Sequence, residues 1–265
     1  MASPLRLVKT HAYGNDFLLA AAADLVGDDR ASIARQVCDR HHGIGADGLL
    51  VVEETADGAR MALLNADGSP SELSGNGVRC VAAWLADKRS CAPGTTLSIA
   101  TDAGVKTLTL LKRESRRLTF RAAMGQPQDV KEARLDVAGT TVAAITMRVG
   151  NPQCVVLGPA TDERLRSIGA GLSTHRHFPD GTNVELAEVL APDRVRILIW
   201  ERGVGPTQSS GTGTCAAAVA ASAYGGAARR LEVIAPGGAQ IVEWEADGLW
   251  LTGWAEVVGG VEWWR

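Results

Sequence analysis

The chain has 265 residues, 46% of them apolar and 22% charged, with a formal net charge of −3. This is ordinary globular composition, which excludes disordered and collagen-like chains. A net acidic chain without a basic run argues against nucleic acid or an anionic membrane as a partner. No apolar run approaches the ~18 residues of a membrane-spanning helix. Cys38, Cys80, Cys91, Cys154 and Cys215 are scattered and odd in number. They read neither as a disulfide framework nor as a zinc site, which predicts a reducing, cytoplasmic setting. The N-terminal stretch has no continuous apolar segment, so no signal peptide is read there.

In chain order, Leu5 to Ala20 reads as extended with a Gly-Asn turn. Asp28 or Asp29 caps a helix over 31–40. Strands follow at 49–53 and 61–65, then a Gly-rich turn and an apolar helix over 78–87. Strands at 96–100, 105–111 and 117–122 close this half. The second half repeats the order. Residues 140–149 are extended, 162–168 helical, 183–188 and 194–200 strands. Another Gly-rich turn precedes an apolar helix over 214–224, and the tail from Leu231 is β.

The repetition is exact in spacing at three places. Gly14-Asn15 is echoed by Gly150-Asn151, Gly45-Ala46-Asp47 by Gly181-Thr182-Asn183, and Ser74-Gly75-Asn76-Gly77 by Ser210-Gly211-Thr212-Gly213. The offsets 150 − 14, 181 − 45 and 210 − 74 are each 136. The pattern predicts a duplicated α+β chain of two pseudo-symmetric halves, 1–120 and 121–265, with the last strand free to return to the first half. Each half is expected to be a curved mixed sheet or barrel around a central helix, with a site in the cleft between them.

Each Ser-Gly-x-Gly stands directly before an apolar helix. Glycine lets backbone N–H groups approach a ligand closely, and a helix N-terminus carries unpaired donors and partial positive charge. Two such ends suit a carboxylate. Glu201-Arg202 beside Gly203 suits an amino group and a carboxylate. Asn15, Asn65, Asn151 and Asn183 fall at loop or strand ends, where asparagine is also an ordinary turn residue. His41-His42 and His175-x-His177 are read as loop histidines, because no Cys or acidic cluster accompanies them. No metal is expected.

The chain resembles the diaminopimelate epimerases, which work without a cofactor. The matching stretches are HAYGNDF at 11–17, HHGIGADGLL at 41–50, NADGSPSELSGNGVRC at 65–80 and GNPQCVV at 150–156. FPDGTNVELAEV at 178–189, ERGVGPTQSSGTGTCAA at 201–217 and LTGWAEVV at 251–258 complete the set. The resemblance implies a two-base mechanism, in which a cysteine of one half removes the α-proton and a cysteine of the other delivers one to the opposite face. It gives Asn15, Asn65, Asn151, Asn183, Glu201 and Arg202 to substrate recognition, and Gly75, Asn76, Gly211 and Thr212 to the α-carboxylate. The implied substrate is LL-diaminopimelate, converted to the meso form in lysine biosynthesis. A homodimer is compatible with the reading.

The two implied catalytic positions hold serine, Ser74 and Ser210. A thiol ionises near neutral pH, whereas a serine hydroxyl needs an adjacent base. Asp67 and Glu72 are the nearest carboxylates in sequence to Ser74. Cys80 and Cys215 match helix cysteines that are not catalytic in the family. Gln153 stands where the family usually has His, and it cannot titrate. Three readings follow: an epimerase silenced by replacement of both cysteines, a natural relative that binds an amino acid without catalysis, or an enzyme using other groups. A racemase of another amino acid, such as histidine, is the rival substrate reading.

Overall fold

The computed structural model describes residues 4–71 and 74–264. The backbone forms two compact units, Met1–Ala122 with Trp254–Arg265, and Ala123–Gly253.

In the first unit, β1 (Leu5–Ala12) and β2 (Asn15–Ala21) make a hairpin. Its turn holds Tyr13 at φ 55° and Gly14 at φ 86°, and the second of these is a conformation glycine adopts freely. Then come α1 (Arg30–Cys38), β3 (Gly48–Glu54), β4 (Gly58–Asn65), the short β5 (Pro70–Ser71) and α2 (Gly75–Lys88). β6 (Thr96–Thr101), β7 (Gly104–Glu114) and β8 (Arg117–Gly125) follow. The second unit contains β9 (Gln128–Val137), β10 (Thr140–Val149), β11 (Asn151–Leu157), α3 (Asp162–Ser173), β12 (Asn183–Ala191) and β13 (Arg194–Glu201). It continues with β14 (Gly205–Thr207), α4 (Gly211–Tyr224), β15 (Arg230–Ala235) and β16 (Gly238–Glu245). The last strand, β17 (Gly248–Trp263), begins in this unit and ends in the first.

The two units share one pairing scheme. In the first, β1·β2 is antiparallel, β2·β3 parallel, β3·β4 antiparallel, β4·β6 parallel and β6·β7 antiparallel. In the second the same alternation runs β10·β11, β11·β12, β12·β13, β13·β15, β15·β16. Pairing of β7, β8, β17 and β1 closes the first sheet on itself. The α+β duplication read from the sequence is therefore the architecture of the chain.

The central helices explain the curvature. α4 is buried along its length from Gly213 to Ala221 and is mostly alanine, so strands can approach on every side. Ile145, Val155, Ile197, Val233, Val242 and Leu251 pack on it. The outer faces are covered separately. Ile33 and Val37 of α1 lie on Leu18, Leu49 and Val51, and Leu165, Ile168 and Leu172 of α3 lie on Val156, Val184 and Leu186. Strands covered on both faces read as continuous apolar runs, which is why β3 and β12 do not alternate.

Two expectations are corrected. Both central helices start three residues earlier than expected, at Gly75 and Gly211, so the glycines form the first turn instead of preceding it. Low helix propensity hides them in the sequence, but a capped first turn tolerates them. The repeat is also not uniform. The pair Phe17↔Gly48 recurs as Gln153↔Asn183, so Asn183 takes the register place of Gly48, at 183 − 48 = 135, and not that of Asp47. One residue has been lost from the loop while the register was kept.

Candidate active site

Ser74 is the N-cap of α2, and its Oγ accepts the Gly77 N–H at 3.0 Å. Ser210 is the N-cap of α4 and accepts the Gly213 N–H at 3.2 Å. Both have extended backbone, φ −132° and −137°, as a cap requires. Among the described residues neither hydroxyl has a carboxylate or imidazole as hydrogen-bond partner. Asp67 is occupied elsewhere. Its carboxylate accepts the Ser69 hydroxyl at 2.6 Å and the Ser69 N–H at 2.8 Å, and these bonds hold it below the usual carboxylate range. Glu72 lies outside the described residues.

In the first unit the α2 turn is tied to the hairpin. Asn76 Nδ2 donates to Asn15 Oδ1 at 3.3 Å, and Asn15 Nδ2 donates to Asp47 Oδ2 at 2.7 Å. Behind Asn76 stands Arg79, only 1% exposed, whose Nη2 donates to Asn76 Oδ1 at 2.6 Å and whose guanidinium lies 5.7 Å from the Tyr13 ring. Asp16, beside Asn15, is raised by burial but brought below its ordinary value by hydrogen bonds from Arg40 and Lys9. Asn65 ends β4 and donates to Ser69 Oγ at 3.0 Å.

In the second unit the corresponding link is indirect. Gln153 Nε2 donates to Asn151 Oδ1 at 2.6 Å and to Thr212 Oγ1 at 3.1 Å. Asn183 opens β12 and its Oδ1 accepts the Arg202 N–H at 3.0 Å. Glu201 ends β13, and Arg202 follows it in the exposed turn, its guanidinium donating to the Asp180 carbonyl. Gly75 and Gly211 open the two helices, each followed by its polar partner, Asn76 or Thr212. The structure thus groups Asn15, Gly75 and Asn76 in one unit, and Asn151, Gly211 and Thr212 in the other. Asn183 joins Glu201-Arg202 at the neighbouring strand ends.

Three residues escaped the sequence reading: Asp47, Arg79 and Glu185. Glu185 lies on the inner face of β12, fully buried. Burial, with Glu201 nearby, pushes its carboxyl well above the ordinary range. The signal available in the sequence was a charged residue inside an otherwise apolar segment, which holds for Arg79 in α2 as well. Cys38, Cys80 and Cys154 are poor candidates for reactive thiols. Burial pushes Cys38 and Cys80 up to about 12, and Cys154 is raised too. His41 and His42 donate their backbone N–H groups to Asp39 Oδ1, both at 2.7 Å.

A sheet wound on a buried helix, made twice, with a polar-flanked serine cap at each helix start, belongs to the fold class of racemases and epimerases. A hydroxyproline epimerase from Agrobacterium vitis has a similar structure, with TM-score 0.69, 16% identity, and cover of 98% of this chain and 91% of that one. A phenazine biosynthesis protein of Bacillus anthracis gives TM-score 0.72 at 17% identity, with both chains fully covered. The family model for diaminopimelate epimerase matches residues 7–130 and 145–258. A diaminopimelate epimerase of Desulforudis audaxviator is 39% identical over 98% of this chain and 100% of its own. One from Desulfitobacterium hafniense is 37% identical over 96% of each. The chain belongs to the diaminopimelate epimerase family, and its class of activity is that of an isomerase.

Proposed function

We propose that the chain is built to interconvert LL-2,6-diaminopimelate and its meso form, without cofactor, by a two-base proton transfer. The observation that carries the proposal is the repeated first turn, Ser74-Gly75-Asn76 and Ser210-Gly211-Thr212, each opening a buried apolar helix. Leading N–H groups of a helix lack intrahelical partners and carry partial positive charge. Such turns suit the α-carboxylate. They also favour the charge that moves onto it when the α-carbon loses its proton. The names of the relatives support the substrate. Asn15, Asn65, Asn151 and Asn183 recognise it, with Glu201 and Arg202 on the amino group and carboxylate of its far end.

Positions 74 and 210 handle the proton. Serine there removes the ionisable group, and both hydroxyls are engaged as helix caps. General acid–base catalysis contributes ~100- to 10,000-fold and fades when the base is far from the working pH. The chain as it stands therefore binds and does not invert. Calorimetric titration with diaminopimelate is expected to give a 1:1 complex, and Arg202→Ala to weaken it by ~2 kcal/mol or more through loss of a charged hydrogen bond. Solvent deuterium is not expected at the α-carbon at an enzymatic rate. Rapid exchange would overturn the inactivity, and absence of binding would overturn the substrate. The serine caps also favour a second reading, an amino-acid-binding protein without catalysis. Restoring both thiols separates the two.

A further inference from the structure

Lys9 and Thr146 occupy one place in the two sheets. Lys9 pairs with Leu18 and Thr146 with Cys154, and Leu18 and Cys154 each follow a matched residue, Phe17 or Gln153. By the same register Pro152 stands where Asp16 stands, and Gly181 echoes Gly45, both at positive φ. In the first unit this place is filled. The Lys9 ammonium donates to the Asp16 carboxylate and to the Gly45 carbonyl. In the second unit lysine gives way to Thr146 and the acid to Pro152, and a cavity of about 180 Å³ opens, with both residues and Gly181 among its walls. Thr146 is 4% exposed, and its hydroxyl is buried without a hydrogen-bond partner. The cavity lies on the outer face of the sheet, since Cys154, the pair of Thr146, packs with α3. Gln153, on the inner face, meets the α4 start instead.

We propose that this cavity is a second ligand site, separate from the helix starts, for a small zwitterion: an α-amino acid the size of alanine. The internal repeat supplies the ammonium. What Lys9 places beside Asp16 and Gly45 in one unit, a ligand would bring to Thr146 and Gly181 in the other. Both signs of charge line the walls. Lys131 and Arg148 suit a carboxylate, and Asp129 and Asp180 supply the negative charge that Pro152 no longer gives. Among the described residues none of these four side chains makes a hydrogen bond or an ion pair. Asp129 sits in a β9 bulge, where it and Val130 stand against Met147 alone, at φ 53°. Such bulges re-aim side chains. A plain anion would face the two acids and a plain cation the two bases, so only a ligand with both charges complements the cavity. The volume equals about six waters, which admits alanine and excludes diaminopimelate. The site is also tied to Arg202. The Asp180 carbonyl accepts from its guanidinium, and a Cβ on Gly181 would stand 2.8 Å from its Cδ. A ligand that orders 177–181 therefore orders Arg202 in advance of diaminopimelate, a consequence that rests on the function proposed above.

Titration of the isotope-labelled chain with L-alanine, followed by two-dimensional NMR, tests the site. The amides of Lys131, Thr146, Arg148 and 177–181 are expected to shift saturably, and those of 75–77 and 211–213 to stay unmoved. Propionate and ethylamine, each with one of the two charges, should bind ~10-fold more weakly. Arg148→Ala, at an exposed position, should weaken alanine ~10-fold. Thr146→Val should weaken it ~5-fold without loss of thermal stability, because it removes a hydroxyl that the folded chain leaves unsatisfied. The proposal is overturned by the absence of saturable shifts at ~100 mM alanine, by shifts centred on the helix starts, or by equal binding of propionate or ethylamine. Undiminished binding by Thr146→Val overturns it as well. Alanine should also tighten diaminopimelate binding by ~5-fold, and an unchanged or weakened affinity overturns the link to Arg202. If diaminopimelate does not bind at all, the proposed function fails, while the alanine titration still decides the cavity.

Discussion

The two first turns are built on one backbone and held by different chemistry. At α2, the buried cation Arg79 grips Asn76, which grips Asn15, which grips Asp47. At α4, neutral Gln153 bridges Asn151 and Thr212, and the buried group close by is the acid Glu185, whose carboxyl burial pushes well above its ordinary range. Duplication explains the shared frame, and the residues on the surrounding walls have diverged, Leu50 and Phe17 in one unit standing where Glu185 and Gln153 stand in the other. Arg79, Gln153 and Glu185 are the buried polar residues at which the two turns depart from the repeat.

The largest effect should come from restoring both thiols. Ser74→Cys with Ser210→Cys is expected to raise inversion of diaminopimelate by ~100-fold or more, the lower end of what acid–base catalysis supplies. Either single change should give at most α-proton exchange with retained configuration, because inversion takes a proton from one face and returns it to the other. Chiral chromatography in deuterated water reads both quantities together. Appreciable inversion by a single variant would mean that serine or water delivers the second proton. Each replacement also removes a serine cap, at a cost of ~1 kcal/mol.

Next is the cation that distinguishes α2. Arg79→Met leaves Asn76 Oδ1 without its 2.6 Å donor inside the core. Loss of a charged donor to a buried acceptor should cost about 3 kcal/mol. Gln153→Met, the matching cut at α4, should cost about 1 kcal/mol, since it removes only neutral hydrogen bonds. Urea unfolding of both variants gives the difference. Equal losses would mean that Arg79 is held in the core by other contacts and does not brace the turn.

The helix starts sharpen the same contrast. Gly213→Ala drives a Cβ into Glu185, whereas Gly77→Ala meets the flexible end of Leu50 at 3.2 Å. Overpacking of a rigid site costs ~1–3 kcal/mol, so Gly213→Ala should lose about 2 kcal/mol more stability than Gly77→Ala. Glu185→Ala should relieve most of that excess. Failure of the relief would place the clash elsewhere in the turn.

Much of this was legible in the chain. Gly14 and Gly150, with φ 86° and 77°, mark one turn in each half, and a positive φ selects glycine strongly enough to survive duplication. The central helices stood out because they are apolar on every face. What failed to show has a physical cause in each case. β9 carries Asp129, Lys131, Glu132, Arg134 and Asp136, mostly exposed, so its extended backbone follows from pairing with β10 and not from local pattern. β11 opens with Asn151-Pro152, a combination that reads as a loop although proline is tolerated at a strand start. The slip at Asn183 left no trace because a shortened loop preserves the register it connects. Glu185 and Arg79 were visible as charges in apolar runs. Their burial, however, depends on which face of the strand or helix meets the partner layer.

Glu185 also offers the mildest test, in stability rather than rate. Its folded value lies well above 4.5, raised by burial and by Glu201. At a pH below the unfolded value both states are protonated and the residue contributes no pH dependence. Above it the unfolded chain loses the proton while the folded chain keeps it. The folded state then binds more protons, so stability falls as pH rises, by about 1.4 kcal/mol per pH unit, until the folded carboxyl also ionises. Asp16, Asp39 and Glu54, all held low, contribute the opposite slope at acid pH, and the difference between variant and parent cancels them. Glu185→Gln should therefore match the parent at about pH 4 and exceed it in guanidinium unfolding at about pH 8. A constant gap between the two proteins across that range would mean that Glu185 is ionised in the folded chain, paired with a donor that offsets its burial.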